Sequence, residues 1–226
     1  FVRRASVNSH NFVGSLINLK KELSDKLTID FGVDLRNYRG IHYRRLDHLL
    51  GADGYRGFDN VNYAGGSAVR TVTYGSNVSD LWNVFKDTDN EEKIDYYNDG
   101  FVRWSGVFGQ LEYSNDDLSV FVQGAVSNQG FQREEFFNEI PGNQKTDWKN
   151  ISGGNIKGGA NYNIDAKNNV YVNAGTYSKQ PNFDAVYINY GNNLNPDLKN
   201  ETVVGLEAGY GYRSSTVSYT HLTLPT

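Results

Sequence analysis

The chain has 226 residues, of which 38% are hydrophobic, 14% aromatic and 21% charged, with 24 Gly, 4 Pro and no Cys or Met. The lack of Cys excludes a disulfide scaffold, thiolate metal sites and a cysteine nucleophile in this chain. A net charge of −4 with no basic stripe argues against a nucleic-acid partner, and no apolar run reaches the roughly 18 residues that a membrane-spanning helix needs.

The first predicted element is a β-hairpin. Its strands are residues 12–23 and 27–35, and the stretch 22–26 is short and polar enough to close the turn between them. In the second strand, residues 27, 29, 31, 33 and 35 are apolar, whereas the residues between them are Thr, Asp or Gly. A strict period of two is typical of a strand with one apolar and one polar face.

The same alternation recurs along the rest of the chain. It predicts further strands at residues 104–113, 118–126, 156–164, 170–176 and 204–210, which gives seven strands, and no amphipathic helix. We expect the polar alternates of these strands to face a wet interior; they include Thr28, Asp30, Asp34, Ser119, Gln123, Asn161, Asn163 and Glu207.

The connections between the predicted strands alternate in length. One set is about four residues of Asn, Asp, Ser and Lys, whereas the other set spans roughly residues 37–100, 128–154 and 179–200. Outer-membrane barrels have short periplasmic turns and long extracellular loops, and strands of about 9–11 residues match a tilted bilayer crossing. The sequence therefore predicts an all-β fold, namely a segment of an antiparallel transmembrane β-barrel.

Residues 93–215 carry the most informative sequence. They include KIDYYNDGFVRWSGVF, GQLEYSNDDLSVFVQGAVSNQGF, GGNIKGGANYNI, VYVNAGTYSKQPNFDAV and NYGNNLNPDLKNETVVGLEAGYGYRSS. This stretch closely resembles TonB-dependent outer-membrane receptors of the Bacteroidota type, with weaker agreement before residue 93. The most specific part is NPDLKNE and the strand after it, with the signature positions Asn195, Pro196, Leu198, Glu201, Glu207 and Gly209.

The resemblance implies a barrel of about 22 strands, of which this chain supplies about seven, with an interior plugged by a separate N-terminal domain. In such receptors the ligand binds the extracellular loops and the plug, and TonB transmits energy to the plug. The implied function is energised uptake of a bulky nutrient across the bacterial outer membrane; siderophore, cobalamin, glycan and peptide all stay open. The implied partners are outer-membrane lipid, the nutrient, TonB through the plug and a surface lipoprotein. We expect no enzyme activity, cofactor, metal or nucleic acid.

Two segments are expected in the chain. Residues 1–216 form the partial barrel, which we expect to be an internal fragment because the chain starts at Phe1 and shows no export signal. Residues 217–226, VSYTHLTLPT, break the receptor pattern and resemble the translation of a sequencing-library adapter. These ten residues, including His221, are therefore expected to have no role in the fold.

Aromatic and basic residues in the long connections are the candidate ligand contacts, since aromatic faces suit sugar rings or flat chelates and Arg suits anions. They are Tyr43, Arg44, Arg45, Tyr55, Arg56, Trp82, Arg133 and Trp148. Five other aromatic residues are expected in an interfacial girdle: Phe101, Trp104, Tyr113, Tyr162 and Tyr210.

Metal sites are not expected from the sequence. His10, His42 and His48 lack the spacing of a metal-binding motif, and we expect them to be exposed loop residues. The acidic run 87–92 lacks the Gly and the terminal Glu of a calcium-binding loop.

Two other classes of protein fit the same alternation. A soluble or surface-exposed β-sandwich would pack its apolar faces into a core and bind glycans through the same aromatic residues. A passive porin would have the same kind of wall without a plug. A full-length protein that is soluble and monomeric without detergent would favour the sandwich, and a plug sequence upstream would exclude the porin.

Overall fold

The computed structural model describes residues 1–57, 60–62, 68–70 and 93–214, with 68–70 described as backbone. The strands are β1 Arg3–Ser24, β2 Leu27–His48, β3 Tyr55–Gly57, β4 Ala68–Arg70, β5 Ile94–Ser114, β6 Leu118–Glu135, β7 Lys149–Asn163, β8 Asn168–Lys179 and β9 Glu201–Tyr212. A helical turn, α1, spans Phe183–Val186 and is capped by the side chain of Asn182, which accepts a hydrogen bond from the Ala185 N–H. Among the described residues, no helix is long and apolar enough to cross a membrane.

Seven of these strands form one antiparallel sheet. Its order is β1-β2-β5-β6-β7-β8-β9, so each strand lies beside the strand that precedes it in the sheet. Each of the seven predicted strands overlaps one of them, which confirms the all-β, antiparallel prediction. The two short strands β3 and β4 pair with each other in the connection between β2 and β5.

The two ends of the sheet differ in their connections. At one end, which we call the turn end, the connections are Asp25–Lys26 and residues 115–117 and 164–167. The side-chain oxygens of Asn115 and Asp165 accept hydrogen bonds from backbone N–H groups two and three residues later, which is why Asn and Asp favour such turns. At the other end, the loop end, the connections are residues 49–93, 136–148 and 180–200.

The strands are longer than the sequence predicts. β2 continues to His48 and β5 already begins at Ile94, so the prediction of a loop over residues 37–100 is wrong at both ends. The end of β2 was missed because the residues after Leu35 are Arg, Asn, Tyr, Arg and Gly. The period of two disappears there, while the backbone pairing with β1 and β5 continues. β6 and β7 extend into the next predicted connection in the same way.

The sheet has one apolar and one polar face. Residues that pair directly across antiparallel strands share a face. One row contains Ile29, Leu111 and Val122, and the adjacent row on the opposite face contains Asp30, Gln110 and Gln123. The apolar face comprises Ile17, Leu19, Ile29, Phe31, Val33, Leu35, Val107, Leu111, Val120, Val122, Val126, Ile156, Val170, Val172, Val204 and Leu206. The predicted polar alternates, from Thr28 to Glu207, all lie on the polar face.

The apolar face is uncovered in the described part of the chain. Val126, Val204 and Leu206 expose 63%, 78% and 80% of their surface. Soluble monomers rarely expose a contiguous apolar patch larger than a few hundred Å². This face therefore requires an apolar environment. In a self-contained globule, a second layer of secondary structure would cover it.

The predicted aromatic girdle is found in part. Tyr113, Tyr162 and Tyr210 lie on the apolar face near the turn end, where they pair with aliphatic residues. The prediction for Trp104 is wrong. Trp104 pairs with Arg36 and with a Gln of β6 on the polar face, and the Arg36 guanidinium lies 6.0 Å from its ring centroid. Phe101 lies on the side of the apolar face, but at the loop end.

Candidate ligand-binding site at the loop end

The connection between β8 and β9, residues 180–200, folds back over the polar face. Gln180 donates a hydrogen bond through Nε2 to the Ser127 hydroxyl, at 2.8 Å. The ring of Phe183 lies directly over Gly100, because a Cβ at that glycine would come within 2.9 Å of the ring. At the other end of the connection, Asn200 donates through Nδ2 to the backbone oxygen of Ser152 at 2.7 Å.

A small core holds this connection against the sheet. Phe131 of β6 packs with Val186 and Tyr187, and all three side chains are buried. The partly buried residues that surround them are Val102, Ile151, Phe183 and Leu198. The Tyr187 hydroxyl lies 3.1 Å from the Thr146 hydroxyl, so the connection 136–148 joins the same structure. We call residues 136–148 and 180–200 together the loop layer.

A buried ion pair links the loop layer to β6. The Nη2 atom of Arg133 lies 2.8 Å from the Glu135 carboxylate, and their side chains are 8% and 2% exposed. The same Nη2 atom donates a hydrogen bond to the backbone oxygen of Tyr190, at 2.7 Å. Glu135 also accepts a hydrogen bond from the Phe137 N–H. Charges taken out of water this far are tolerated only when they are paired and hydrogen-bonded.

A second cluster surrounds Asp95 at the start of β5. The Asp95 carboxylate accepts hydrogen bonds from Arg4 at 2.6 Å, from Arg44 at 3.0 Å and from the Tyr55 hydroxyl at 2.5 Å. The register between β2 and β5 shifts just before Arg44, and Asp95 adopts a φ of 63°, a conformation that Asp tolerates better than most residues. One carboxylate thus joins three strands: β1, β2 and β3.

The pKa of Asp95 makes this cluster sensitive to acid. Burial alone would raise the pKa, but the hydrogen bonds from Tyr55 and Arg44 and the charge of Arg4 more than offset it, so the pKa lies below its usual value. A carboxylate whose pKa is lower in the folded than in the unfolded state stabilises the fold at pH values above its unfolded-state pKa. This stabilisation is lost as the pH falls through the folded-state pKa. We expect hydrogen exchange of the backbone amides of residues 94–97 to accelerate below about pH 4. In the Asp95→Asn variant the same amides should exchange fast already at neutral pH. Exchange of the wild type that does not depend on pH after correction for its intrinsic rate would contradict this.

The comparison with known proteins decides the family. A model of the family described as TonB dependent receptor-like, beta-barrel, matches residues 3–224. The chain belongs to this family. No curated protein and no solved structure matches it. The seven-stranded antiparallel sheet is accordingly a segment of a TonB-dependent receptor barrel, and the role of the family is receptor-type transport at the outer membrane of Gram-negative bacteria.

The residues of the receptor signature fix the loop layer to the barrel wall. Asn195 donates through Nδ2 to the backbone oxygen of Ala185 at 3.0 Å, and Leu198 packs against the small core. Glu201 forms an exposed ion pair with Lys179, at 3.3 Å. The remaining signature positions lie on β9 or in the exposed part of the loop.

Further along β9, the signature fits its neighbour β8. Glu207 accepts hydrogen bonds from the Tyr171 hydroxyl and from the Asn173 amide, both at 3.2 Å. A Cβ at Gly209 would lie 2.4 Å from the Tyr171 ring, so only Gly leaves room for that ring across the strand pair. Pro196 is exposed and lies within the turn in which the Asn195 carboxamide accepts from the Asp197 N–H. The signature therefore has a structural explanation in this chain.

The structure separates the candidate ligand contacts into groups. Tyr43, Arg45 and Arg133 are buried, with exposures of 0%, 5% and 6%, so they support the wall and the loop layer and are not available for direct contact. Trp148 stacks on the Arg103 guanidinium at 3.9 Å and packs over Gly130, on the side of the apolar face.

Arg44 and Tyr55 are brought together around Asp95, and Arg56 is exposed on β3. Trp82 and the acidic run 87–92 lie outside the described residues. Asp95 and Glu135 are functional-site residues that could not be predicted, because their positions in long connections gave no signal in the sequence. Within the described part of the chain, no three His, Asp or Glu residues converge into a metal site.

A groove opens on the polar face beside the first residue of the loop layer. Its volume is about 380 Å³, and its wall includes Trp104, Phe108, Asn155, Tyr177, Lys179 and Gln180. Aromatic surfaces with a few polar groups are the usual lining of small-molecule sites, which range from about 300 to 1,000 Å³. The predicted strands include Trp104 but end just before Tyr177, and no signal in the sequence indicates that these two residues line one groove.

Removing the amide of Asn200 should loosen the loop layer. Asn200→Ala deletes the hydrogen bonds to the Ser152 backbone oxygen and to the Ser178 hydroxyl. Each of these partly exposed hydrogen bonds should contribute about 0.5–1.5 kcal/mol to the stability of the local fold. We expect faster limited proteolysis within residues 180–200. Asn193→Ala is the matched control, since Asn193 is exposed and its side chain contacts no polar partner among the described residues. Equal cleavage rates for the two variants would contradict the role of Asn200.

Proposed function

We propose that this chain forms part of the wall and of the ligand-selecting loops of an outer-membrane receptor that takes up a bulky nutrient with energy from TonB. The observation that carries the proposal is the two-faced sheet: one continuous face is apolar and uncovered, and the other is polar. In a bilayer the apolar face contacts lipid and the polar face lines the interior. The turn end then faces the periplasm and the loop end the outside.

The length of the strands supports this orientation. β2 has 22 residues, which span roughly 73 Å at about 3.3 Å per residue. A tilt of about 45° reduces its height to roughly 50 Å, which exceeds a hydrocarbon core of about 30 Å. The apolar face reaches from the turn end to Leu35, so the excess length projects from the loop end. The loop layer and the Asp95 cluster therefore lie outside the membrane.

We propose ligand contact for the exposed or half-exposed part of the candidate set. Arg44 and Tyr55 meet around Asp95 at the loop end, Arg56 is exposed and follows Tyr55 on β3, and Trp82 stays a prediction from the sequence. The groove beside Gln180 offers an aromatic surface in the interior. Siderophore, cobalamin, glycan and peptide are all compatible with these groups. The chain's part is binding and wall formation, without enzyme activity, and energy coupling belongs to a plug domain that contacts TonB.

The proposal extends to the source and the partners of the receptor. The sequence of residues 93–215 supports assignment to the Bacteroidota type, in which a surface lipoprotein is a reasonable partner. Residues 1–216 are proposed to be the native barrel part. Residues 217–226 are proposed to be translated adapter, and the source nucleotides test this directly: an adapter sequence there supports the proposal, and an unrelated genomic sequence that continues the reading frame ends it.

Growth experiments separate the transport proposal from its alternatives. A strain that lacks the receptor should fail to grow on a scarce nutrient, and the intact gene should restore growth only when TonB is functional. Restoration without TonB would indicate a passive porin. An intact protein that is monomeric and soluble without detergent would indicate the β-sandwich and would contradict the proposal.

A further inference from the structure

A polar notch lies on the same side of the sheet as the apolar face, at its border toward the loop end. Its volume is about 550 Å³. Two rows of side chains on this side line it, namely Leu35, Ser105 and Asn128 and, in the next row toward the loop end, Asn37, Arg103 and Asn150. The aliphatic surface of the sheet thus ends in a recess that presents carboxamide, hydroxyl and guanidinium groups.

The guanidinium of Arg103 stacks on the ring of Trp148, with the guanidinium carbon 3.9 Å from the ring centroid. Gly130 pairs with Arg103 and leaves room for this contact, because a Cβ there would come within 3.2 Å of the Trp148 ring and within 2.9 Å of the Asn150 side-chain oxygen. A guanidinium that stacks through its face keeps the N–H donors along its edge, and two such donors match two oxygens of a phosphate. The stack therefore orients Arg103 without using its donors.

The polar groups of the notch are free to bind a ligand. Among the residues that the structure describes, no carboxylate lies within ion-pair distance of Arg103, which is itself exposed. The side chains of Asn37, Ser105 and Asn150 likewise form no hydrogen bond with any described residue. Next to a hydrocarbon layer, such groups gain from a partner that the surroundings supply.

The nearby carboxylates on this side of the sheet do not neutralise Arg103. Asp99 and Glu134 pair with each other's strands two rows nearer the loop end. Asp99 forms its ion pair with Arg39, and Glu134 forms its ion pair with Lys145. The positive charge of Arg103 is therefore in surplus, and the charge complement of the notch is an anion.

The height of the notch matches the headgroup region of the outer leaflet. This step rests on the proposed function, which places the loop end outside the cell. Arg103 and Tyr113 lie on the same side of β5, ten positions apart, which is roughly 33 Å along the strand and roughly 23 Å of height at a tilt of about 45°. The apolar band of outer-membrane barrels is about 25 Å tall. With Tyr113 at the inner border, Arg103 reaches the outer border, where acyl chains end and headgroups begin.

We propose that the polar notch binds the phosphate group of an outer-leaflet lipid. Arg103 donates to two phosphate oxygens, and the amides of Asn37 and Asn150 donate to other oxygens of the headgroup. The acyl chains of the same lipid lie along the apolar face next to the notch, where Val107 follows toward the turn end. Trp148 is a positioning residue, because it holds the guanidinium of Arg103.

A lipid fits the notch better than other anions do. A lipid phosphate combines a negative charge with acyl chains, and the notch offers a surplus cation directly beside an apolar surface. A soluble anion would use the cation only. A nutrient in the barrel interior faces the opposite side of the sheet and does not reach Arg103.

The experiment uses the intact receptor, purified in a non-ionic detergent and depleted of lipid. One arm titrates an acylated diglucosamine that carries two phosphates, and a second arm titrates the same glycolipid without phosphates. Native mass spectrometry counts the bound lipids and gives their affinities, so a lipid bound elsewhere on the barrel is recognised because no variant of the notch removes it. A third arm titrates inorganic phosphate alone, followed by calorimetry.

We expect the phosphorylated lipid to bind the notch at least about tenfold more tightly than the phosphate-free lipid, because only the phosphate engages Arg103. Inorganic phosphate should bind at least about a hundredfold more weakly than the phosphorylated lipid, because it has no acyl chains to bury against the apolar face.

Variants test the role of each group. Arg103→Ala should remove the preference for the phosphorylated lipid, and Arg103→Lys should keep part of it, because Lys retains the charge but not the paired donors. Trp148→Ala should weaken binding by about threefold through loss of the stacked orientation, and Trp148→Phe should restore most of it. Lys157→Ala is the matched control, since it removes a positive charge from the polar face and should leave the affinity unchanged. Heat-dependent gel migration verifies that each variant is folded.

Equal affinities of the wild type for the two lipids, or an undiminished preference in Arg103→Ala, would overturn the inference. Inorganic phosphate that binds at Arg103 as tightly as the lipid would also overturn it, since the notch would then be a site for a soluble anion. The proposed function fails in a different way, with a protein that is soluble without detergent or that restores growth without TonB. A receptor that restores TonB-dependent growth but does not prefer the phosphorylated lipid contradicts the lipid site alone.

Discussion

Val122→Arg should lower the free energy of unfolding of the receptor in lipid vesicles by about 2–4 kcal/mol, the penalty for a cation near the middle of the lipid-facing surface of a barrel. Val122 lies on the apolar face of β6 between Leu111 and Gly158, and its side chain is 48% exposed. β6 presents Val120 toward the turn end and Val126 toward the loop end on the same face, so position 122 is well within the apolar region. Reversible unfolding by denaturant, followed by tryptophan fluorescence, measures the change.

The matched control is the next residue along the same strand. Gln123 lies on the polar face, where it pairs with Gln110 and Lys157. Gln123→Arg adds the same side chain on the wet side of the wall, and we expect a change below about 1 kcal/mol even with Lys157 nearby. A larger loss for Gln123→Arg than for Val122→Arg would mean that the two faces have been assigned the wrong way round.

Glu135→Ala should open the loop layer, because it leaves the Arg133 guanidinium buried without its carboxylate. The two side chains are 8% and 2% exposed, and breaking such a buried pair by removing one partner costs about 3–5 kcal/mol. We expect faster hydrogen exchange throughout residues 136–148 and 180–200, since Arg133 also holds the Tyr190 backbone oxygen.

Two further variants test the same explanation. Glu201→Ala breaks the ion pair with Lys179. The Lys179 side chain is 72% exposed and the Glu201 side chain 64% exposed, so we expect the free energy of unfolding to fall by less than about 1 kcal/mol. Arg133→Met combined with Glu135→Leu removes both charges and should recover part of the loss, because no unpaired charge remains. If Glu135→Ala and Glu201→Ala had equal effects on exchange, the buried pair would have no special role in the loop layer.

The barrel wall could be predicted from the sequence because its signal is local. An apolar residue at every second position between Leu27 and Leu35 is sufficient to define a two-faced strand, and the Asn and Asp residues of the short turns mark where the chain reverses. The extension of β2 to His48 could not be predicted. Beyond the apolar face the strand is stabilised by backbone pairing with its neighbours, which leaves no periodic side-chain pattern.

The candidate site could be predicted only as a collection of residue types. Arg44 and Tyr55 were expected in a ligand-binding region, but their shared partner Asp95 depends on a register shift between β2 and β5. Arg133 was predicted on the same grounds as Arg44, as a basic residue in a long connection, yet Glu135 and the loop layer bury it. Burial and register are properties of tertiary structure, so a basic residue in a long connection gives no indication of which outcome applies.

The assignment of the two faces to lipid and to water can be measured directly on β6. The sequence contains no Cys, so single cysteines that carry a nitroxide label can be introduced one position at a time in the intact receptor in vesicles. The apolar-face positions are Val120, Val122 and Val126, and the polar-face positions are Phe121, Gln123 and Ala125. We expect labels of the first set to collide with oxygen dissolved in lipid and labels of the second set to collide with a water-soluble nickel complex, so that the two accessibilities alternate with a period of two. Labels of the first set that are shielded from both reagents would mean that these residues pack into a protein core, which would contradict a lipid-facing barrel wall.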